Sequence, residues 1–369
     1  MILQLVPIDK FTDYVIRQYE SYTDIVDTIL IKSFVDIKIT NNGKTLPILE
    51  PNTKDFEDLL LRLSNYSSII IHGFHWPWVE KIVKFKPQSV KLAWVFWGGE
   101  IYGRPENQDE FLTFFTKVIL SCHKFKKIFS KVKEQKKYFV PLMSYNKIDY
   151  CLSDELEEYK YAKDKTNGNF NYLEYNYYTL EDLLGNLYDS KCSGENILIG
   201  NAATVECNYW YTLLKLKPYK LKHTTKIIIP LSYGDLWVRN SVIKQGSFLF
   251  GNRFFPLLEF LPLEQYNNTI LSCNTMIMPH IQPHAQGNII LGLWLGMRVF
   301  LSKKNLSYHY FRRIGCKLYS LEDDFHLLND INFQCLSDEE IALNRKILYA
   351  IYSSESTNRK IQTIINTLK

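Results

Sequence analysis

Two short segments decide the fold of this chain: ILIGNAATVECNYW at residues 197–210 and KIIIPLSYGDL at residues 226–236. Each is a run of isoleucine and leucine, typical of a buried strand, followed by a turn of small and polar residues. The stretch between the runs, residues 207–221, is long enough for a crossover helix, so a β-α-β unit with parallel strands is predicted. Because ligands bind where the strands of open parallel sheets end, these two turns are candidate binding loops.

The turn after the first run, Gly200 to Thr204, has the composition of a phosphate-binding loop. Glycine lets backbone N–H groups approach an anion closely, and the N-terminus of the following helix adds partial positive charge. The alternative is a turn that begins a helix and binds no ligand. Strand, loop and helix recur in every α/β protein, so this unit alone does not decide between the two.

Length and composition indicate a globular protein of two domains. The chain has 369 residues, of which 46% are hydrophobic, and it contains 25 tyrosines, 22 phenylalanines and 7 tryptophans. Such aromatic content accompanies binding clefts for sugars or bases, or it reflects a general bias toward Lys, Asn, Tyr and Ile. The net charge of +5 is small and nucleic-acid-binding motifs are absent, so no nucleic-acid partner is expected.

The cysteine pattern and the hydropathy predict a cytoplasmic protein. The seven cysteines are scattered and never form a CxxC pair, which argues against a disulfide framework and a structural zinc site. The N-terminus lacks the pattern of a signal peptide, and no apolar run reaches about 18 residues. Any contact with a membrane is therefore expected to be peripheral.

Strand and helix patterns alternate along the whole chain, which predicts an α/β fold. The composition changes between residues 153 and 186, so we place a domain boundary near residue 190. The predicted organisation is an N-terminal Rossmann-like domain, 1–190, a C-terminal one, 191–345, and a helical tail, 346–369, that packs back on the body. Two such domains facing one another across a cleft form the GT-B arrangement, common among enzymes that transfer a sugar from a nucleotide, although a fold alone does not fix function.

Residues 111–140 form a basic amphipathic segment that predicts contact with an anionic membrane surface. Lysines near such a surface contribute on the order of 1 kcal/mol each. The alternative is a solvated helix face followed by a strand at residues 137–141. The lysines are Lys117, Lys124, Lys126, Lys127, Lys131, Lys133, Lys136 and Lys137.

Several motifs, taken in order, resemble the dTDP-N-acetylfucosamine:lipid II N-acetylfucosaminyltransferase family, also known as 4-alpha-L-fucosyltransferase, of bacterial envelope polysaccharide synthesis. They are LVPIDKFTDYVI, IIIHGFHW, WVFWGGEIYG, LIGNAATVECNYW, IIIPLSYGD and HAQGNIILGLWLGMRVFL, and they cover most of residues 1–320. The resemblance implies a GT-B glycosyltransferase that adds a dTDP-activated deoxyamino sugar to a polyprenyl-diphosphate-linked saccharide. Such an enzyme would work on the inner face of the cytoplasmic membrane.

The chain departs from this family in ways that concern the donor. Ala-Ala-Thr follows Gly200-Asn201 where more polar residues are expected, and Tyr209 replaces a frequent histidine. His280 and His284 stand where arginine and glutamine are expected. One alternative is a GT-B transferase that uses a UDP- or GDP-sugar on a glycan or protein acceptor; another is a non-catalytic nucleotide- or saccharide-binding protein.

The residues predicted to bind the donor lie in the loops and helix starts of the second half. Short side chains and N–H groups would hold the diphosphate or sugar, and Tyr233 would stack on a base or bond a ribose. Two helix N-termini at one diphosphate would make a metal unnecessary, and Asp323-Asp324 lies in an acidic turn, so no metal or cofactor is expected. The predicted donor set is Gly200, Asn201, Thr204, Asn208, Tyr233, Gly234, His280, His284, Gln286, Gly287 and Asn288.

The two histidines of that set have a second interpretation. Spaced four apart on a helix, His280 and His284 could bind a metal, but Pro279 and Pro283 make a helix there improbable. We therefore favour contact with the donor phosphate for one of them, with an ordinary loop histidine as the alternative.

The first half supplies the candidates for proton transfer. Glu100 follows the predicted strand LAWVFW, and a carboxylate on that loop could take the proton of the acceptor hydroxyl; alternatively it caps the loop structurally. His72 and His75 are the other candidate bases. Asp9 and Lys10 follow the first strand and are expected to contact the acceptor.

Overall fold

The computed structural model describes residues 1–33, 46–128, 138–329 and 335–369. They divide into two compact units, defined by packing rather than by continuous sequence. Unit 1 contains Met1–Arg104, Gln135–Thr179 and Tyr352–Lys369, and unit 2 contains Pro105–Glu134 and Leu180–Ile351.

Strands and α-helices alternate along most of the described chain. The strands are β1 (Ile2–Pro7), β2 (Val26–Ile31), β3 (Ile48–Leu49), β4 (Ser68–His72), β5 (Lys91–Val95), β6 (Tyr150–Ser153), β7 (Asn171–Glu174), β8 (Asn196–Ile199), β9 (Ile227–Pro230), β10 (Phe254–Leu257), β11 (Cys273–Met278), β12 (Arg298–Leu301) and β13 (Tyr319–Ser320). The helices are α1 (Thr12–Tyr19), α2 (Lys54–Leu61), α3 (Pro77–Phe85), α4 (Gly99–Tyr102), α5 (Pro105–Gln108), α6 (Phe114–Ile128), α7 (Leu156–Thr166), α8 (Leu180–Leu184), α9 (Tyr209–Leu216), α10 (Leu236–Phe250), α11 (Leu263–Leu271), α12 (Gln286–Trp294), α13 (Leu306–Arg313), α14 (Asp338–Tyr352) and α15 (Ser354–Leu368).

Unit 1 is built on a seven-stranded sheet in the order β3-β2-β1-β4-β5-β6-β7, and every pairing in it is parallel. β1 and β4 are buried at every position, as expected of central strands covered on both faces. The first six strands repeat the order of a Rossmann fold, in which the direction of chain progression reverses between β1 and β4. Ligands of such folds bind beyond the carboxyl ends of those two strands.

Unit 2 repeats the same plan with a six-stranded parallel sheet, β10-β9-β8-β11-β12-β13. Its reversal point lies between β8 and β11. The predicted β-α-β unit is confirmed, because β8 pairs in parallel with β9 and α9 connects them. Residues from β8, β9 and α9, among them Ile199, Leu213 and Ile229, share one buried core.

The crossover helix is shorter than the predicted span of residues 207–221. Asn208 has a left-handed backbone conformation (φ 46°), which separates a short 3-10 turn from α9. The helix then ends at Leu216, shortly before Pro218, because the residue preceding a proline disfavours helical geometry.

The unit boundaries differ from the predicted ones at 190 and 345. Leu180–Ile351 belongs to unit 2, and the chain returns to unit 1 at Tyr352. An earlier segment, Pro105–Glu134, also belongs to unit 2. A change in composition marks a polar connection but does not reveal which core the flanking residues join. The tail is helical as expected, and α15 buries Ile361 and Leu368 in the core of unit 1.

The basic segment is only partly described. α6 runs from Phe114 to Ile128. The lysines from Lys131 to Lys137 lie outside the described residues, and so does the first residue of the strand predicted at 137–141. Across the described part of the chain, no helix combines the length and apolar character needed to cross a bilayer.

Candidate functional site

Two loops meet at the carboxyl ends of β8 and β9 in unit 2. Ala203 N donates a hydrogen bond to Tyr233 O (2.8 Å), and Asp235 N donates one to Ala203 O (2.8 Å). Gly200 and Gly234 both have positive φ, +64° and +116°. A Cβ at Gly200 would lie 2.4 Å from the Tyr209 hydroxyl, so the loop requires glycine there for space as well as for conformation.

Asn201 connects these loops to the loop that follows β11. Its Nδ2 donates to the Tyr233 hydroxyl (3.2 Å), and its Oδ1 lies 3.0 Å from His280 Nε2. Asn201 is almost buried, whereas Tyr233 is 51% exposed, so the ring of Tyr233 remains accessible beside the network. The structure thus brings together Gly200, Asn201, Tyr233, Gly234 and His280 at the reversal point of the unit 2 sheet.

The loop between β11 and α12 is held by its backbone. Asn305 Nδ2 donates to His280 O (3.0 Å) and Gln282 O (3.2 Å). His280 is fully buried, and burial lowers its pKa to about 4 although Glu206 opposes the shift, so the imidazole is neutral at pH 7. No helix forms across the histidine pair, in agreement with the prolines around it.

α12 begins at the end of this loop and includes three predicted donor residues, Gln286, Gly287 and Asn288. Ala285 precedes it with φ +57°, a left-handed conformation that turns the chain into the helix. Asn288 Nδ2 donates to the Tyr266 hydroxyl (3.1 Å). Gln286, Gly287 and Asn288 thus lie in the first turn of α12, at a helix start as predicted.

Asn208 was predicted to contact the donor, but its side chain is used inside unit 2. The residue is 1% exposed. Its Oδ1 accepts hydrogen bonds from Thr113 N (2.9 Å) and Thr116 Oγ1 (2.8 Å), while Nδ2 donates to Glu206 O (2.9 Å) and Phe111 O (3.2 Å). This geometry supports a structural role that fixes the start of α6 against the loop after β8.

A cluster of Cys207, His280 and His284 was not foreseen from the sequence. Cys207 Sγ lies 3.2 Å from His280 Nε2, and one potential ligand atom from each of the three residues lies within 4.8 Å of the others. Thr204, another predicted donor residue, places Oγ1 3.4 Å from Cys207 Sγ. Cys207 is 73 residues from His280 along the chain, so only the spacing of the two histidines carried a signal.

The Cys207 thiol is more acidic than usual despite its burial. Burial raises the pKa of Cys207, but the hydrogen bond and charge of His284, with hydrogen bonds from Thr204 and Tyr209, lower it by more. The pKa therefore falls below its ordinary value. A thiolate is the form of cysteine that attacks electrophiles or binds metals. The cluster therefore has the chemistry of a reactive or metal-binding thiol and does not serve packing alone.

Glu100, the predicted base in unit 1, does not lie on an open loop. It belongs to the short helix α4 and is fully buried. Its Oε1 accepts hydrogen bonds from Trp94 Nε1 (2.8 Å), Trp97 N (2.9 Å) and Phe74 N (3.4 Å). The alternative interpretation, a structural carboxylate that caps the loop, describes this oxygen better.

The other oxygen of Glu100 points toward a histidine. Glu100 Oε2 lies 4.0 Å from His75 Nδ1, and neither atom has a hydrogen-bond partner among the described residues. The His75 side chain is 28% exposed. Burial lowers the pKa of His75, whereas the charge of Glu100 raises it, and the net shift is downward.

His72 is enclosed in unit 1. Gln4 Nε2 donates to its Nε2 (3.0 Å), and its Nδ1 lies 3.2 Å from the Tyr177 hydroxyl. Burial lowers the pKa of His72 to about 3. With both ring nitrogens engaged and no exposed surface, His72 fits a structural role better than that of a base.

Asp9 and Lys10 follow β1 at the same edge of the unit 1 sheet. Asp9 Oδ1 accepts a hydrogen bond from Phe11 N (2.7 Å), and burial raises the pKa of Asp9 to about 6. Lys10 Nζ lies 4.9 Å from the centre of the Phe11 ring, which stacks on Tyr177 at 4.6 Å. Polar groups after β1 and β4 thus lie at the reversal point of this sheet as well.

Comparison with known proteins supports the fold. No protein-family model matches the chain, and no curated protein matches its sequence. Among solved structures, a glycosyltransferase from Rickettsia africae is similar over 100% of this chain and 98% of its own, with a TM-score of 0.66 at 13% identity.

Two further structures extend the comparison. HepE of Anabaena, solved in complex with UDP-glucose, covers 99% of both chains with a TM-score of 0.63 at 12% identity. WaaG, a glycosyltransferase involved in lipopolysaccharide biosynthesis, covers 100% of both with a TM-score of 0.54 at 7% identity. The fold is therefore the two-domain α/β fold of GT-B glycosyltransferases, as predicted.

Proposed function

We propose that this protein is a glycosyltransferase that moves a deoxyamino sugar similar to N-acetylfucosamine from a dTDP-sugar to a polyprenyl-diphosphate-linked saccharide. The observation that carries the reaction class is the GT-B fold over the whole chain, with polar groups gathered at the sheet reversal point of each unit. The choice of sugar, nucleotide and acceptor rests on the ordered motifs that resemble the N-acetylfucosaminyltransferase family.

Unit 2 is proposed to bind the nucleotide sugar. The glycine-containing loop after β8 and the N-terminus of α12 both offer backbone N–H groups, which favour a diphosphate. Tyr233 offers an exposed ring whose hydroxyl is oriented by Asn201. HepE, which shares the fold, has been solved with UDP-glucose, and this supports a nucleotide sugar as the donor class.

Unit 1 is proposed to bind the acceptor and to supply the base. His75 is partly exposed, and its lowered pKa keeps the imidazole neutral at pH 7, so it can accept the proton of an acceptor hydroxyl. Glu100 would act behind it, because a carboxylate 4.0 Å away stabilises the imidazolium formed during transfer. Asp9 and Lys10 remain proposed contacts of the acceptor.

The protein is proposed to act at the inner face of the cytoplasmic membrane through the basic segment. At the start of α6, Phe114 is 82% exposed and Val118 is 43% exposed, beside Lys117. Aromatic and aliphatic side chains next to lysines suit the interface of an anionic bilayer. Replacing the lysines from Lys124 to Lys137 with glutamine should reduce co-sedimentation with anionic vesicles; unchanged sedimentation would exclude the segment.

The reaction is tested with a panel of dTDP-, UDP- and GDP-sugars and a polyprenyl-diphosphate saccharide, with EDTA and without added Mg²⁺. The proposal expects release of dTDP that depends on the acceptor. If only a UDP- or GDP-sugar is turned over, the donor is that nucleotide sugar and the proposed dTDP-sugar is wrong. Nucleotide binding, seen as a rise in Tm, without turnover by any pair would indicate the non-catalytic alternative.

A further inference from the structure

We propose that Cys207, His280 and His284 bind one zinc ion, which clips the loop after β8 to the loop after β11 in unit 2. The cluster lies beside the loops proposed to hold the donor, but its binding of zinc requires neither a nucleotide sugar nor an acceptor. It also differs from the sequence-based expectation, which considered the two histidines alone and favoured a phosphate contact.

The three side chains form a recognisable donor set for zinc. Zn²⁺ prefers cysteine sulfur and histidine nitrogen, and three protein ligands plus one further ligand complete its tetrahedral shell. Cys207 ends the 3-10 turn that follows β8, and His280 and His284 lie in the loop after β11, so the three residues come together at the reversal point of the sheet. The set contains no carboxylate, which argues against Mg²⁺ or Ca²⁺.

The distances are close to those that coordination needs. With Zn–S near 2.3 Å and Zn–N near 2.0–2.1 Å, ligand atoms of a tetrahedral site lie about 3.4–3.6 Å apart. Cys207 Sγ lies 3.2 Å from the His280 ring at Nε2, and one potential ligand atom from each of the three residues lies within 4.8 Å of the others. A movement of about 1 Å, within the reach of a side-chain rotation of the half-buried His284, would complete the geometry.

Unsatisfied ring nitrogens provide a second, independent observation. The Nδ1 atoms of His280 and His284 are both buried, and neither has a hydrogen-bond partner among the described residues. Buried polar atoms are nearly always paired, so two such atoms in one cluster need an explanation. The hydrogen bonds around Cys207 leave both Nδ1 atoms without a partner among the described residues. A zinc ion bound by these two nitrogens would accept a lone pair from each.

Asn201 has the position of an outer-shell partner. Its Oδ1 lies 3.0 Å from His280 Nε2 and 3.7 Å from Cys207 Sγ. With zinc on Nδ1 of His280, the Nε2–H would donate to Asn201 Oδ1, and metal-binding histidines commonly donate their second ring N–H to a carbonyl or carboxylate oxygen, which fixes the ring orientation. The proposed ion would thereby also fix Asn201, whose other end holds the Tyr233 hydroxyl.

The test measures metal directly and needs no activity assay. The full-length protein is dialysed with Zn²⁺, freed of loosely bound metal, and analysed for zinc per chain; Co²⁺ replaces Zn²⁺ in parallel to reveal thiolate coordination by its charge-transfer absorption. We expect one zinc per chain and a cobalt–thiolate band. Absence of both from the wild-type protein would overturn the proposal.

Variants identify the ligands. Cys207→Ser should abolish the cobalt–thiolate band, and His284→Gln should weaken zinc binding at least about tenfold. Because Cys207 is fully buried, its variant can fail to fold, and the half-buried His284 then carries the test. Cys122→Ser and His309→Gln, at exposed positions outside the cluster, are matched controls that should keep the zinc. Loss of zinc in the controls, or retention in a folded His284→Gln variant, would contradict the assignment.

Discussion

Replacing Glu100 with glutamine should separate the chemistry of unit 1 from its stability. The glutamine carbonyl can keep the three hydrogen bonds that Oε1 accepts from Trp94, Trp97 and Phe74. Only the charge is lost, together with the oxygen that lies 4.0 Å from His75 Nδ1. Glu100→Ala would instead leave buried donors without an acceptor, at about 1–3 kcal/mol for each group.

The size of the effect on turnover follows from this distance. Two opposite charges 4 Å apart attract by about 4 kcal/mol at an effective dielectric constant of 20, and this is the upper limit of what Glu100 contributes to an imidazolium at His75. A loss of about 3–4 kcal/mol corresponds to a fall in kcat of roughly 10²–10³-fold. The affinity for the donor should not change, because the residue belongs to unit 1.

The assay compares kcat, the Kd of the donor and Tm in the wild type and Glu100→Gln. Since Glu100 raises the pKa of His75, its loss should also move the acid limb of the kcat–pH profile to lower pH. Glu158→Gln is the matched control: burial raises the pKa of Glu158 to about 8, so that carboxyl is mostly neutral at pH 7 and its replacement changes little charge. Unchanged turnover and an unmoved acid limb in Glu100→Gln would refute the role of Glu100.

Three further predictions concern stability. Gly200→Ala should lower the free energy of unfolding by about 1–3 kcal/mol, because its φ is +64° and the new Cβ would meet Tyr209. Gly185→Ala, with φ +48° but open space around it, should cost less, and equal losses in chemical denaturation would contradict the steric argument. Asn208→Ala should destabilise unit 2 by about 2 kcal/mol or more, because Thr113 N and Thr116 Oγ1 lose their acceptor. The Kd of the donor should not change in the folded protein. A selective loss of donor binding would instead support the predicted role of Asn208 as a donor contact. The folded state holds the proton of Glu158 up to about pH 8, whereas the unfolded chain releases it near pH 4.5. The free energy of unfolding should therefore fall as pH rises through this window, by up to about 1.4 kcal/mol per pH unit. Glu158→Gln should flatten that slope, and an unchanged slope in pH-dependent denaturation would refute the role of Glu158.

The strands could be predicted because buried parallel strands are continuous apolar runs. Segments such as 197–199 and 298–301 are long enough to cross a sheet and too short for a helix, and polar turns bound them. Helix ends were harder to predict, because they depend on contacts from distant residues. The left-handed Asn208 depends on hydrogen bonds to Thr113 and Thr116, which no local pattern around residue 208 contains.

The position of candidate residues at strand ends was predictable, but the direction of their side chains was not. Glu100 follows β5, as the sequence indicated, yet its carboxylate turns inward because Trp94 Nε1 and two backbone N–H groups converge on it. The Cys207–His280 contact joins two loops 73 residues apart. Such a pairing follows from the strand order β8-β11, which a single sequence does not reveal.

The placement of α15 has a consequence for how the protein is made. Ile361 and Leu368 share a core with Ile2 and Val6, and Leu368 O accepts a hydrogen bond from Ser68 Oγ (2.7 Å). During synthesis the N-terminal strands therefore leave the ribosome long before the residues that complete their core. At about 5–20 residues per second, unit 1 waits on the order of ten seconds or more for its last helix, while Leu180–Ile351 of unit 2 emerges first. A chain arrested before residue 354 should therefore expose the apolar surface of β1 to chaperones and proteases.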